Sequence, residues 1–435
     1  MVKLAINGGT PVRDKNKLFP AYNPIGKEEK EAAMRVLDSG ILSNYIGGWE
    51  PMFYGGPEVQ AFEKEWAAKV GAKFGIAMNS ASSGLIAAMG AIGIEPGDEV
   101  IVAPFSMCIS ATAPLFYGAI PVFADVEPEY LCLDPKSVEA KITPRTKAII
   151  TVDITGQPYD ADAINAIAKK HNLKVIEDAA QAPGVMYKDR YAGTLGDIGV
   201  FSLNYHKHIH TGEGTVVVTD DPELAERLQL IRNHAEAVVE GKGITNLVNM
   251  LGQNYRLTEL QAAIGRELLK KLDGLIEVFQ KNSLYLSEHI GKLPGIRPAP
   301  TRIGATHSYY MHAFLFDEAV VGVSRNKFIA AVAAELPCAK MREQEGALVY
   351  PCGSTVYMLP IFQKQIAIGS KGFPFRSEYY DGTPNYAAGI CPVAENLRDK
   401  VLFANEYNRP GMTKEDLDDV IEAFKKVYEN RKDLV

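Results

Sequence analysis

The sequence predicts an α/β fold: a mostly parallel central sheet with helices on both faces, followed by a smaller C-terminal α/β domain. Three observations carry that expectation. Strand-length apolar runs alternate with helical patterns from about residue 58 to residue 220. Runs such as EVIVA (99–103) and TKAIITV (146–152) are continuously apolar, as strands buried on both faces are. After Asp220 the pattern changes, and a long helical stretch from Arg256 to about Ile290 is suited to bridge two domains. The expected divisions are an arm at 1–26, a large domain at 27–275 and a small domain at 276–435.

The elements follow in order. The arm carries Gly-Gly, Pro and Asn and reads as extended. Lys27 to Asp38 has helical periodicity, with Ala32, Ala33, Val36 and Leu37 on one side. SGILSNYIGGWEPMFYGGP (39–57) is a long loop, of the kind that is often functional or interfacial. Glu58 to Val70 is an amphipathic helix. Gly75 to Met78 is a short strand, and the turn NSASSG (79–84) leads into an Ala-rich helix ending near Ile92. EPGD (95–98) is a turn before the strand EVIVA. A helix spans about Ile109 to Tyr117, and IPVFADV (120–126) is a strand with Asp125 near its end. TKAIITV is a strand, Ala161 to His171 a helix, and LKVIED (173–178) a strand. Pro222 to Arg232 is a helix. Beyond the long helix come a strand near Met311 to Phe316, a helix near Lys327 to Leu336 and a last helix from Lys414 to about Glu429. Neither repeats nor low-complexity stretches are present.

Composition narrows the class. The chain has 435 residues, 47% hydrophobic and 23% charged, the profile of a globular protein with a large core. A net charge of -7 disfavours a nucleic-acid partner. Five scattered cysteines without a CxxC pair suggest neither a disulfide framework nor a zinc ribbon, and favour a reducing, cytoplasmic setting. The opening MVKLAINGGTPVR lacks the apolar run of a signal peptide, and no stretch has the length of a membrane span.

The chemistry centres on residues 200–219, VFSLNYHKHIHTGEGTVVVT. Two apolar strands flank a loop that presents Lys207. Burying an ammonium is costly, and an imine with an aldehyde cofactor relieves that cost. A solvated loop lysine is the commoner case for any lysine taken alone. His206, His208 and His210 alternate and could face one way as metal ligands, but no carboxylate or cysteine sits at ligand spacing. In an open parallel sheet, ligands bind beyond the carboxyl ends of the strands. The turn Asn79 to Gly84 follows a strand and opens a helix there, so its backbone N–H groups suit a phosphate. The bland alternative is an ordinary cap made by Ser82 or Ser83. Asp178 ends the strand LKVIED, with Gln181 three residues on; Glu177 points to the other face. An anion cradle, a buried carboxylate and a lysine together are what pyridoxal phosphate requires.

Several long motifs then occur in one order: GPEVQAFEKEWAAKVGAKFGIAMNSASSGL (56–85), GDEVIVAPFSM (97–107), ITGQPYD (154–160), VIEDAAQAPG (175–184), GTLGDIGVFSLNYHKHIHTGEG (193–214), GQNYRLTELQAAIG (252–265) and CPVAENL (391–397). From about Gly26 to the C-terminus the chain resembles the DegT/StrS-type pyridoxal-phosphate-dependent sugar aminotransferases, of fold type I. The resemblance implies that Lys207 is the Schiff-base lysine and that Asp178 binds the pyridine nitrogen. It gives Gln181 the phenolic oxygen, and Ser202 with the backbone of Ala81 and Ser82 the phosphate. Asn254, in the GxNYR motif, would reach the phosphate from a partner subunit, so a homodimer with composite sites is implied. Tyr205 and His208 would line the substrate site.

The implied reaction moves an amino group from glutamate or glutamine to a keto-sugar, on a nucleotide diphosphate. Two other acceptor chemistries belong to the same resemblance. One is a keto-cyclitol, which the opening LAINGGTPVR suggests. The other is sugar dehydration, whose enzymes carry histidine where this chain has Lys207, in a triplet resembling HHI; here the triplet is Lys207-His208-Ile209. A cofactor-binding regulator without turnover is the reading from a different class, and intact Lys207, Asp178 and Gln181 argue against it. The chain departs from the pattern in three places. Ala81-Ser82 replaces Gly-Thr. Cys108 stands where an aromatic ring usually stacks on the cofactor, which leaves that stacking to Phe105 or another ring. The loop 39–57 and the region from about Glu343 to Tyr386 are longer than expected, which points to an atypical substrate.

Overall fold

The apolar runs become the strands of one large sheet. The computed structural model describes residues 3–340 and 346–434. Its strands are β1 (Phe74–Met78), β2 (Glu99–Val102), β3 (Ile120–Phe123), β4 (Thr146–Val152) and β5 (Lys174–Asp178). A two-strand hairpin follows, β6 (Met186–Tyr187) with β7 (Arg190–Tyr191), and then β8 (Ile198–Val200) and β9 (Thr215–Thr219). The seven-stranded sheet has the order β1-β9-β8-β5-β4-β2-β3. β3, β2, β4, β5 and β8 are mutually parallel, and β9 runs antiparallel to β8 and to β1. Six strands therefore deliver their carboxyl ends to one edge. The register places Val152 beside Asp178 and Asp178 beside Val200 at that edge.

The helix Glu259–Ile290 starts with a reciprocal cap between Thr258 and Gln261. Its first half buries Ala262, Leu268, Leu269 and Leu272 against helix Pro57–Val70, where Phe62 and Trp66 lie in the same apolar cluster. Its second half buries Leu286 and Ile290 in a different cluster, with Phe314, Phe328, Phe403 and Phe424. That cluster covers a four-stranded antiparallel sheet of β10 (Ile296–Pro298), β11 (His312–Phe316), β12 (Val349–Pro351) and β13 (Leu402–Asn405), in the order β10-β11-β13-β12.

The arm is packed rather than loose. Leu4 and Phe19 are fully buried in the small-sheet cluster. The Arg13 guanidinium sits 2.7 Å from Asp416 and 2.9 Å from Asp419. The loop 39–57 is likewise tied down, by the end of helix Pro222–Arg232. Asn233 donates to the carbonyls of Ile46 and Phe53, both at 3.0 Å. Arg232, wholly buried, pairs with Glu63 and donates to Ala77 O at 3.2 Å.

Two sequence expectations change. The helix at 109–117 is one α-turn, Ile109–Thr112, continued by a 3-10 segment, Ala113–Tyr117. Pro114 has no N–H to donate and breaks the regular ladder there. Of the enlarged region, residues 343–345 lie outside the described residues. Val349–Pro351 joins the small sheet as β12, but the chain beyond Cys352 leaves that sheet. Tyr357, Phe362 and Tyr386 surround Phe123 of β3, with ring centroids 5.3–5.8 Å away. Tyr386 also donates to Pro121 O at 3.0 Å. β3 is an outer strand, and an outer strand left bare invites further pairing; this segment covers it.

Candidate active site

The strand edge collects the residues that the sequence singled out. Asp178 closes β5 and is 5% exposed. Ala180 N–H donates to its Oδ1 at 3.2 Å, and Ser110 Oγ donates to its Oδ2 at 2.7 Å. Burial pushes the Asp178 carboxyl up, while Ser110, Ala180 and the charge of Lys207 oppose that rise. Glu177 does face the other way. It accepts backbone N–H groups from Gly193 at 2.6 Å, Leu195 at 2.8 Å and Gly196 at 3.3 Å, so it anchors the approach to β8.

Lys207 lies in the loop between β8 and β9 and is 8% exposed. Its Nζ sits 4.1 Å from the centre of the Tyr310 ring. Tyr310 belongs to the segment just before β11, which is pinned across the sheet edge. Ser308 N donates to Gly156 O at 2.8 Å, Ser308 Oγ to Gln181 O at 2.7 Å, and Met311 N to Thr155 O at 3.1 Å. The amide oxygen of Gln181 accepts Thr155 N–H at 2.7 Å. A backbone N–H can only donate, so this contact fixes the amide orientation and leaves the Gln181 NH₂ to face another acceptor.

At the phosphate-type turn the cap is Ser80, not Ser82 or Ser83. Ser80 Oγ accepts Ser83 N–H at 3.1 Å, and Ser83 Oγ donates to Asn79 Oδ1 at 2.6 Å. Position 80 has extended backbone angles, whereas Ser82 and Ser83 are already inside helix Ala81–Ala91. The N–H groups of Ala81 and Ser82 find no acceptor among the described residues. Ser202 is buried, its Oγ accepting Asn204 N–H at 3.3 Å. Asn254 is exposed beside this turn: its carbonyl accepts Asn79 Nδ2 at 3.4 Å and its Oδ1 accepts Arg256 Nε at 2.8 Å.

The three histidines part company. His208 is 1% exposed, with Nε2 3.0 Å from Ser308 O. His206 is exposed, its ring 3.8 Å from that of Tyr205, which is itself 52% exposed. His210 is half-buried. Among the described residues no group of His, Cys, Asp and Glu could hold a metal ion. Phe105 is buried against Gly353 and committed to the core, while Cys108 and Met107 are the exposed side chains of their loop.

Sequence reasoning missed Ser110, Tyr310 and Arg409. Ser110 lies two residues beyond Cys108, in a segment read only as a helix. Tyr310 and Arg409 come from segments more than 100 residues away from Lys207 in sequence, and no local pattern marks them. Arg409, Tyr22, His206, His208, Phe279, Tyr310 and Glu406 enclose a cavity of about 30 Å³ beside the lysine loop.

The sequence pattern of the DegT/DnrJ/EryC1/StrS aminotransferase family matches residues 25–343. The chain belongs to that family. It is 34% identical over 428 residues to the spore coat polysaccharide biosynthesis protein SpsC of Bacillus subtilis, covering 96% of this chain and 98% of the other. It is 32% identical to an L-glutamine:2-deoxy-scyllo-inosose aminotransferase of Micromonospora echinospora, covering both chains in full. Among solved structures, DesI in the presence of its TDP-sugar product superposes with a TM-score of 0.78 at 27% identity, over 99% of this chain and 97% of that one. As a DegT/DnrJ/EryC1/StrS member it is a pyridoxal-phosphate-dependent aminotransferase.

Its strand edge fits that cofactor. Asp178 holds two hydrogen bonds on four lone-pair sites, which leaves room for a cationic ring N–H. The two free N–H groups at Ala81 and Ser82 suit a phosphate at a helix N-terminus. Gln181 offers a donor to an anionic oxygen, and Lys207 an amine to an aldehyde.

Burial holds the His208 imidazole at about 3, well below its ordinary 6.5. The unfolded chain takes up this proton near pH 6.5 and the folded chain only near pH 3. Stability contributed by neutral His208 is therefore whole above about pH 6.5 and lost as pH falls toward about 3. The stability difference between wild type and His208→Gln should shrink by about 1.4 kcal/mol per pH unit across that window, measured by urea unfolding. A difference that does not vary with pH contradicts this.

Proposed function

We propose that the protein transfers an amino group from glutamate or glutamine to the ketone of a polyhydroxylated ring, with Lys207 as the cofactor-bonding and proton-moving residue. The carrying observation is the placement of a buried lysine and a buried carboxylate, Asp178, at one strand edge beside a helix N-terminus with free donors. When bound, pyridoxal phosphate supplies an aldehyde for the amino group and a ring that withdraws electrons from the carbon losing its proton. Asp178 would hold the proton on the ring nitrogen. Gln181 would donate to the phenolic oxygen, and Ala81, Ser82 and Ser202 would bind the phosphate. Lys207 Nζ would hold the cofactor and, as a base, take up and return the proton at the carbon bearing the amine.

The donor brings an α-carboxylate, and a guanidinium is the side chain that binds one by two parallel hydrogen bonds. Arg409 lines the cavity shared with Tyr310, next to Lys207, and its ion pair with Glu406 aims it. For the acceptor, a nucleotide-linked keto-sugar is supported by the similarity to a polysaccharide biosynthesis protein and to a structure holding a TDP-sugar product. A keto-cyclitol is the second reading, favoured by the full-length match to a scyllo-inosose aminotransferase. Lysine at position 207 separates both from the dehydratases that the sequence resembles, which carry histidine there. Tyr205 and His206, exposed beside the lysine loop, would meet the acceptor; buried His208 would shape the wall behind them. Free cysteines fit a cytoplasmic setting, and no helix among the described residues is long and apolar enough to cross a membrane.

A homodimer is part of this proposal. Leu247, Val248 and Leu251 are 60%, 43% and 70% exposed just before Asn254, and Met34, Leu37, Ile41 and Leu42 are about half exposed on a second segment. Apolar residues gathered on two segments suit an interface, one that would carry Asn254 to the partner's phosphate.

Borohydride reduction of the yellow protein should fix the cofactor on a peptide containing Lys207; label elsewhere would falsify the assignment. Screening keto-sugars and keto-cyclitols against the aminated cofactor form, by return of the yellow band, then selects the acceptor. Arg409→Met should raise the donor KM by about 10- to 100-fold with acceptor KM little changed; equal effects on both would remove Arg409 from the donor site. Mixed Lys207→Ala and Asn254→Ala chains should recover activity if sites are composite, and no recovery despite subunit exchange would count against it.

A further inference from the structure

Asp178 is the end of a hydrogen-bond chain that runs outward through two hydroxyls. Ser110 Oγ lies 2.7 Å from Asp178 Oδ2, and Ser106 Oγ lies 2.6 Å from Ser110 Oγ. Ser110 is wholly buried. A hydroxyl has one proton, and the carboxylate can only accept. Ser110 therefore gives its proton to Asp178 and must accept from Ser106, which fixes the direction of both bonds. Hydroxyls aligned in series polarise one another, and a charged acceptor strengthens the last bond. The outer end is anchored from the small-sheet side: Ser354 Oγ donates to Ser106 O at 3.3 Å, and Val356 N to Pro104 O at 3.0 Å.

We propose that Ser110, backed by Ser106, is a positioning residue that keeps Asp178 ionised and aimed at the cofactor's ring nitrogen. The proposal rests on the assignment of Asp178 made above. Its logic is electrostatic. A carboxylate cut off from water favours its neutral form, and a neutral carboxyl no longer holds a proton on a pyridine. Apart from the Ala180 N–H and the nearby charge of Lys207, Ser110 is the donor that offsets this burial. The oxygen it contacts, Oδ2, is also the one without a backbone partner, so the hydroxyl sets the rotation of the carboxylate plane.

The test compares two cofactors. The full-length chain, stripped of cofactor, is titrated with pyridoxal phosphate and with its 1-deaza analogue, whose ring carries C–H in place of nitrogen. Ser110→Ala should weaken pyridoxal phosphate by about 10- to 30-fold and leave the deaza analogue unweakened. Ser106→Ala should weaken pyridoxal phosphate by about 3-fold alone and by nothing further in the Ser110→Ala background, because the two act in series. Ser110→Thr, which keeps the hydroxyl, should restore the discrimination. Equal loss for both cofactors makes Ser110 a packing residue and overturns the proposal. Asp178→Asn separates the two levels. If it discriminates between the cofactors and Ser110→Ala does not, the relay fails alone; if neither does, the assignment of Asp178 fails with it.

Discussion

The cost of placing a carboxylate at the end of a buried central strand organises this molecule. Asp178 is paired on both sides by β4 and β8 and shut off from water. An isolated charge there would neutralise or force the strand end open. Ser110, the Ala180 N–H and Lys207 come from three segments to prevent that. Two of these are in turn held elsewhere: Ser110 by Ser106, and Lys207 under the Tyr310 ring, whose segment is pinned by the Ser308 contacts to Gly156 and Gln181. The strand edge is thus one connected polar system, which under the proposed function a cationic ring would complete. Glu177, its neighbour, meets the same cost differently, by accepting three backbone N–H groups and facing the Asp153 carboxyl.

Much of this was legible because the large sheet is built from local signals. β4 and the helices Pro222–Arg232 and Lys414–Glu429 lie where periodicity placed them. Continuous apolarity marked the strands buried on both faces, and alternation with helices implied parallel order. Asp178 ends a strand, and Gln181, Lys207 and the turn at 79–84 lie in the segments that follow strand ends, where the position alone carries meaning. What escaped is non-local. Ser110 is one more small residue in a short helix until Asp178 is folded against it. Tyr310 and Arg409 carry no pattern of their own, because their significance lies in reaching across from a second sheet. The cap at Ser80 was misplaced by two or three residues, since a run of serines offers several equivalent capping oxygens and only the backbone angles choose among them.

Asp125 shows how a shared motif can be structural. It ends the run IPVFAD, near the strand edge, and could pass for a site residue. Its two oxygens instead accept the N–H groups of Val393 and Ala394, at 2.8 and 3.0 Å, at the start of helix Pro392–Asn396. The CPVAENL segment is therefore a docking point for the large sheet's acid. The alternating histidines make the same case: alternation in sequence did not survive the turn of the loop, and His208 is buried while His206 is exposed.

The covering of β3 has a mechanical meaning. Two bodies joined by one helix can swing about it. Here the chain crosses back: Cys352 is still bonded to β13, yet Ser354 and Val356 are bonded to the loop after β2, and the aromatic residues beyond them are packed on Phe123. The Ser308 contacts form a third tie. Three separated attachments oppose rotation of one sheet against the other. The relation of the two sheets is therefore held from both sides of the helix, by backbone bonds and by aromatic packing, and not by the helix alone.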